Sequence, residues 1–168
     1  QTYAEALRFF SDAERHGPAG ILFLDEIHRF TKAQQDALLP GVENGWATLI
    51  AATTENPSFS VIAPLLSRSL LLTLKSLTDD DLTLLLERAL DDPRGLNGAV
   101  SMGDAAKDAI VRLASGDARR ALTTLEAGAS LALEAADGDA VPEITPDQIS
   151  QAVDRALLRY DRQGDEHY

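Results

Sequence analysis

The sequence predicts an α/β layer on a mostly parallel sheet, followed by an all-helical piece, and three observations predict it. Short apolar runs at residues 21–24, 48–53 and 69–74 alternate with helical patterns, as strands of a helix-covered parallel sheet do. After residue 77 apolar residues recur at helical spacing, with little strand signal between them. With 45% hydrophobic and 25% charged residues, the 168-residue chain has a globular balance and a length suited to one ordinary domain or two small ones.

In chain order, Ala4, Leu7, Phe10 and Ala13 recur at helical spacing, so residues 3–15 read as an amphipathic helix that Gly17 and Pro18 end. The run ILFL at 21–24 is apolar throughout and reads as a strand buried on both faces. Thr31 can cap a helix reaching residue 39, with Pro40 and Gly41 ending or kinking it. The run at 48–53 reads as a second buried strand and the run at 69–74 as a third strand. Thr78 followed by Asp81 makes a capping-box start for a helix to about residue 90, and residues 91–98 read as loop. Further helices are expected at about 104–114, 117–136 and 146–158. Gly116 suits the end of one helix and Asp117 the cap of the next. The chain thus divides into residues 1–77, the α/β piece, and 78–158, the helical piece, with 159–168 as the start of a linker.

Composition narrows the chemistry. The absence of cysteine excludes disulfide scaffolds, thiolate zinc sites and cysteine nucleophiles. No apolar run is long enough to span a bilayer and no signal-peptide pattern opens the chain, so a cytoplasmic protein is expected. With 27 acidic against 15 basic residues and a net charge of −12, the chain is no uniformly basic nucleic-acid binder. DNA binding through one local face of an assembly remains compatible with that charge.

The strongest local feature is ILFL followed by Asp25 and Glu26. A buried strand that delivers two adjacent carboxylates at its C-terminal end suits a nucleotide site in an open α/β sheet. Alternation sends the two side chains in different directions, so one can hold a hydrated Mg²⁺ while the other orients or deprotonates water. Residues 25–28, DEIH, also match the DExH box of a helicase-type ATPase. His28 itself reads as a surface histidine, because no second His or carboxylate sits at ligand spacing. Thr53, Thr54 and Asn56 follow the next strand, where polar side chains would face the same crevice and reach a γ-phosphate or a water. Arg68 lies between an apolar helix end and an apolar strand, where it can serve a neighbouring subunit as an arginine finger or sit as a surface residue. Arg119 and Arg120 occupy the first turn of a helix, where the dipole disfavours cations unless an anion compensates. Asp117 is one such anion, and a bound phosphate would be a better one.

The order of these four elements resembles AAA+ ATPases of the clamp-loader type. More narrowly, LDEIHRFTKAQQDALLP at 24–40, ATTENPSF at 52–59, GDARRAL at 116–122 and RYDRQGDEHY at 159–168 resemble the replication-associated recombination protein A family. The resemblance implies a partial AAA+ P-loop core and a helical lid. It implies Asp25 as the Walker B ligand of Mg²⁺, Glu26 as catalytic base, and Thr54, helped by Asn56, as sensor 1. Arg68 would be the arginine finger acting on the adjacent subunit, and Arg119 would be sensor 2. ATP and Mg²⁺ are the implied cofactors. DNA ends, gaps and stalled forks, single-strand binding protein and further copies of the same chain are the implied partners, in a nucleoid-associated cytoplasmic setting.

One departure from the family pattern is plain: the sequence contains no Gly-x-x-x-x-Gly-Lys-Ser/Thr, the loop that cradles phosphates. In the family this loop precedes the segment resembled here and an oligomerisation domain follows it. The expectation is therefore a central fragment that by itself does not hydrolyse ATP. The other reading is a non-hydrolysing AAA+-like interaction module, as some clamp-loader subunits are.

Overall fold

The computed structural model describes residues 3–17, 20–138 and 140–164. They form two compact units, Gln1–Thr73 and Leu74–Tyr168.

The first unit opens with helix α1, Tyr3–His16, whose Ala6, Phe10 and Ala13 form the buried stripe that the helical spacing requires. Strand β1, Ile21–Leu24, pairs in parallel with β2, Thr48–Ala51. Parallel strands need a crossover. A 3₁₀ turn at Ile27–Arg29 and the short helices α2, Lys32–Asp36, and α3, Leu39–Glu43, supply it. Thr31 caps α2 in a full capping box with Gln34. Pro40 falls in the first turn of α3, where its missing N–H costs nothing, so it starts a second helix where a kink or an end was expected. Gly41 is needed because a Cβ there would overlap the ring of Phe10. Helices α4, Pro57–Ser60, and α5, Ala63–Leu66, complete the unit, and Phe10, Leu22, Leu24 and Leu38 are its main buried side chains.

Three sequence expectations are corrected here, and the first concerns the second strand: β2 is not buried, with Thr48 and Ala51 exposed, Leu49 half-buried and Ile50 46% exposed. Strand β1 is buried on one face only: Leu22 and Leu24 are inside, whereas Ile21 and Phe23 are 65% and 51% exposed. The α1 side of the strand is covered, and among the described residues nothing covers the other. Residues 70–78 form no strand, and Leu70, Leu71 and Leu72 lie 61% or more exposed. An extended apolar run becomes a strand only when a neighbour completes its hydrogen bonds, and no described strand pairs with it.

The second unit packs α6, Asp79–Asp91, α7, Asp104–Ala114, α8, Ala118–Ala135, and α9, Pro146–Gly164, around a Leu, Ile and Ala core. Thr78 and Asp81 form the expected capping box. Ser115 and Gly116 adopt left-handed backbone, and Asp117 caps α8 by accepting from the Arg120 N–H. A Cβ on Gly128 would approach Ile149 Cδ1 to 2.6 Å, so the glycine permits α8 and α9 to close together. The sequence reading missed a two-residue parallel pair, β3, Ser101–Met102, with β4, Glu143–Ile144. Pairs this short carry no periodicity, and their partners lie some forty residues apart.

Candidate functional site

The site lies where β1 and β2 end. Ladder bonding continues past the strands, from the Ala52 N–H to Leu24 O at 2.8 Å and from the Ile27 N–H to Ala52 O at 3.0 Å. The turn carrying Asp25 and Glu26 is thereby fastened beside the polar loop that begins at Thr53. Glu26 occupies left-handed backbone, φ 55° and ψ 46°, a conformation that costs a non-glycine residue roughly 1–2 kcal/mol. Asp25 Oδ1 accepts from the Glu26 N–H at 3.0 Å, which orients the exposed Asp25 carboxylate.

The Glu26 carboxylate is held by its own turn. Its Oε2 lies 3.1 Å from His28 Nε2 and 3.6 Å from Arg29 Nε. His28 Nδ1 lies 2.8 Å from Thr53 Oγ1, which also accepts from the Glu55 N–H at 3.1 Å. His28 is thus no plain surface histidine: its side chain is 14% exposed and bridges the acid turn to the second strand end. Thr53, the first of the two threonines, makes that contact, while Thr54 is exposed beside it. Asn56 is exposed and caps α4, its Oδ1 accepting from the Ser58 N–H at 3.0 Å.

Beneath these loops sits Gln35, the one charged or polar side chain fully buried among the described residues. Its amide donates to Phe30 O at 3.0 Å and Ser60 O at 2.9 Å, and its oxygen accepts from the Ile62 N–H at 3.0 Å. It therefore ties the segment after the acid pair to the segment after Asn56. The available signal was its spacing: Gln35 lies three residues before Leu38, a polar group on a stripe that faces the core.

Arg68 follows α5 and is half-exposed. Its guanidinium pairs with Glu43 Oε1 at 2.8 Å and donates to Pro64 O at 3.0 Å. Arg119 stands exposed on the first turn of the second unit's α8. Asp117, which could have compensated it, is engaged by backbone, and among the described residues neither Arg119 nor Arg120 forms an ion pair. The acid pair and the polar loop are thus adjacent, while Arg68 is held by Glu43.

Comparison with known proteins follows this geometry. Residues 96–168 match the AAA C-terminal domain family. Over 166 residues, 98% of the chain, the sequence is 42% identical to replication-associated recombination protein A of Escherichia coli K12, covering 37% of that protein. The chain is a homologue of replication-associated recombination protein A. The same protein from Coxiella burnetii is 46% identical over 159 residues, 93% of the chain and 36% of the relative. An uncharacterized AAA domain-containing protein of Mycobacterium tuberculosis is 56% identical over 153 residues, 91% of the chain and 33% of the relative. The chain thus spans about a third of the length of these relatives. In fold it resembles the Holliday junction branch migration motor RuvB of Thermotoga maritima, with a TM-score of 0.68 at 24% identity over 89% of this chain and 48% of that one. The fold is that of part of an AAA+ core followed by a helical lid. No helix among the described residues is long and apolar enough to cross a membrane.

Proposed function

We propose that this chain carries the hydrolysis-sensing part of a DNA-dependent AAA+ ATPase that acts at stalled replication forks and in recombination and repair. The observation that carries the reading is the acid turn: two carboxylates at the end of a parallel strand, one in strained backbone, fastened beside a Thr- and Asn-bearing loop. Homology to the replication-associated recombination proteins over nearly the whole chain supports the same assignment.

In this reading Asp25 holds Mg²⁺. Mg²⁺ takes one or two carboxylates and completes its octahedral shell with water and phosphate oxygens. Bound there, Mg²⁺ would neutralise charge on the phosphates of ATP. Glu26 accepts the proton of the attacking water. Thr54, with Asn56, senses the γ-phosphate as sensor 1, Arg68 reaches the nucleotide of an adjacent copy, and Arg119 serves as sensor 2. DNA ends, gaps and forks, single-strand binding protein and further copies of the chain are the partners, in the cytoplasm at the nucleoid. The 168-residue chain alone, having no phosphate-cradling loop motif, hydrolyses no ATP.

The test is Glu26→Gln in the complete gene product. Loss of the base is expected to lower ATP turnover about a hundredfold or more while ATP binding persists. Turnover at the parental rate would overturn the assignment.

A further inference from the structure

We propose that His28 is a positioning residue that fixes the carboxylate of Glu26 and ties it to the polar loop through Thr53; the proposal rests on Glu26 acting as the base. Three contacts carry it: Glu26 Oε2 to His28 Nε2 at 3.1 Å, His28 Nδ1 to Thr53 Oγ1 at 2.8 Å, and the Glu55 N–H to Thr53 Oγ1 at 3.1 Å.

Donor and acceptor roles follow from what each atom can offer. Thr53 Oγ1 already accepts from the Glu55 N–H, so its own proton is free to be donated, and His28 Nδ1 lies within reach. With Nδ1 accepting, the ring proton sits on Nε2 and points at the carboxylate. The opposite tautomer would turn the Nε2 lone pair toward Glu26 Oε2. A doubly protonated ring also makes all three contacts, its Nδ1–H donating to the second lone pair of Thr53 Oγ1. Both forms that satisfy the three contacts share an Nε2–H directed at the Glu26 carboxylate.

This arrangement divides the labour within one carboxylate. Oε2 is held by His28 and, more loosely, by Arg29, whose side chain is 75% exposed. Oε1 is left to take the proton of water. Exposed ion pairs hold geometry poorly, so the fixed anchor is the 14%-exposed imidazole. Thr53 immediately precedes Thr54, so a displacement of the phosphate-sensing loop moves the ring and, through it, the base. The acid turn and the sensing loop are thereby linked within one subunit by a chain of two hydrogen bonds.

The experiment uses the complete gene product, with steady-state ATP turnover, nucleotide affinity and ¹⁵N NMR of the histidine rings. In the unsubstituted protein His28 is expected to carry a proton on Nε2, and Thr53→Val to shift the Nδ1 signal. His28→Ala should lower kcat about tenfold, equivalent to about 1.4 kcal/mol, with nucleotide affinity unchanged within about twofold. His28→Gln, whose amide can still donate to Glu26, should recover part of the loss. Thr53→Val should lower kcat less than His28→Ala and add nothing to it in the double variant, because both cut one chain. Nδ1 protonated with Nε2 bare overturns the proposal, and so does full kcat in His28→Ala or additive losses in the double variant. If His28→Ala does not fold, the ring spectrum, His28→Gln and Thr53→Val still decide. Glu26→Gln run beside them separates the two levels: parental turnover there removes the base itself, whereas a dead Glu26→Gln with unaffected His28 variants removes only the positioning role.

Discussion

Replacing Gln35 by Leu keeps the side chain's bulk and removes its polar end from a site that is 1% exposed. Three well-formed bonds vanish, to Phe30 O, Ser60 O and the Ile62 N–H, all between 2.9 and 3.0 Å. The fourth contact, to Ile27 O at 3.5 Å, is too long to weigh. A stranded buried partner costs about 1–3 kcal/mol. These partners are only part-buried, so water relieves some of that, and about 2–4 kcal/mol in total is expected. For a unit of this size, that lowers the melting midpoint by roughly 10–25 °C. The chain's one tryptophan, Trp46, packs against the core of the same unit, so its fluorescence during thermal or urea unfolding reads the effect. Gln35→Glu is a sharper probe. It can still accept from the Ile62 N–H but turns lone pairs toward two carbonyl oxygens, so at neutral pH it should be at least as damaging as Leu. A loss below about 0.5 kcal/mol for Gln35→Leu, or a Gln35→Glu variant as stable as the parent, would refute the role of Gln35 as the tie between the two site loops.

Gly41→Ala places a Cβ in the ring of Phe10 and should cost about 1–3 kcal/mol by Trp46 fluorescence, with part of it recovered when Phe10→Leu is added. The backbone N–H and then the hydroxyl of Thr78 hold the Asp81 carboxyl below its ordinary value. Its contribution to the second unit is therefore complete above the ordinary Asp range and is lost as pH falls through the lowered folded value. An NMR titration should find the Asp81 midpoint below about 3.9 and find it raised in Thr78→Ala. Arg68→Ala in the complete gene product should lower turnover about a thousandfold, as removal of an arginine finger does. Mixing it with Glu26→Gln subunits, which keep Arg68, should restore part of the turnover, and a mixture as inactive as its components would remove the role in trans. Glu43→Gln should free Arg68 from its ion pair without abolishing turnover, as measured by the same assay.

Whatever depends on bonds within a few residues of chain could be read directly from the sequence. The Thr31 cap, the Thr78 capping box, the Asp117 cap, the buried stripe of α1 and the acid pair closing an apolar run are all local, fixed by helical period, side-chain reach or strand alternation. The division between an α/β part and a helical part was legible for the same reason. The partners of a strand were not. Residues 69–74 have the composition of a strand, yet they pair with no described strand, and β1 lies open on one face despite its unbroken apolar run. The site divides in the same way. Asp25 and Glu26 announce themselves by position, but His28 gains its meaning only from Thr53, twenty-five residues away, and Gln35 from Ser60 and Ile62. A hydrogen bond across that distance leaves no period in the chain. The sequence by itself determined where the longer helices form and where the carboxylates emerge; the tertiary structure decided which polar groups hold them, because only folding brings a donor and an acceptor so far apart in sequence to within 3 Å.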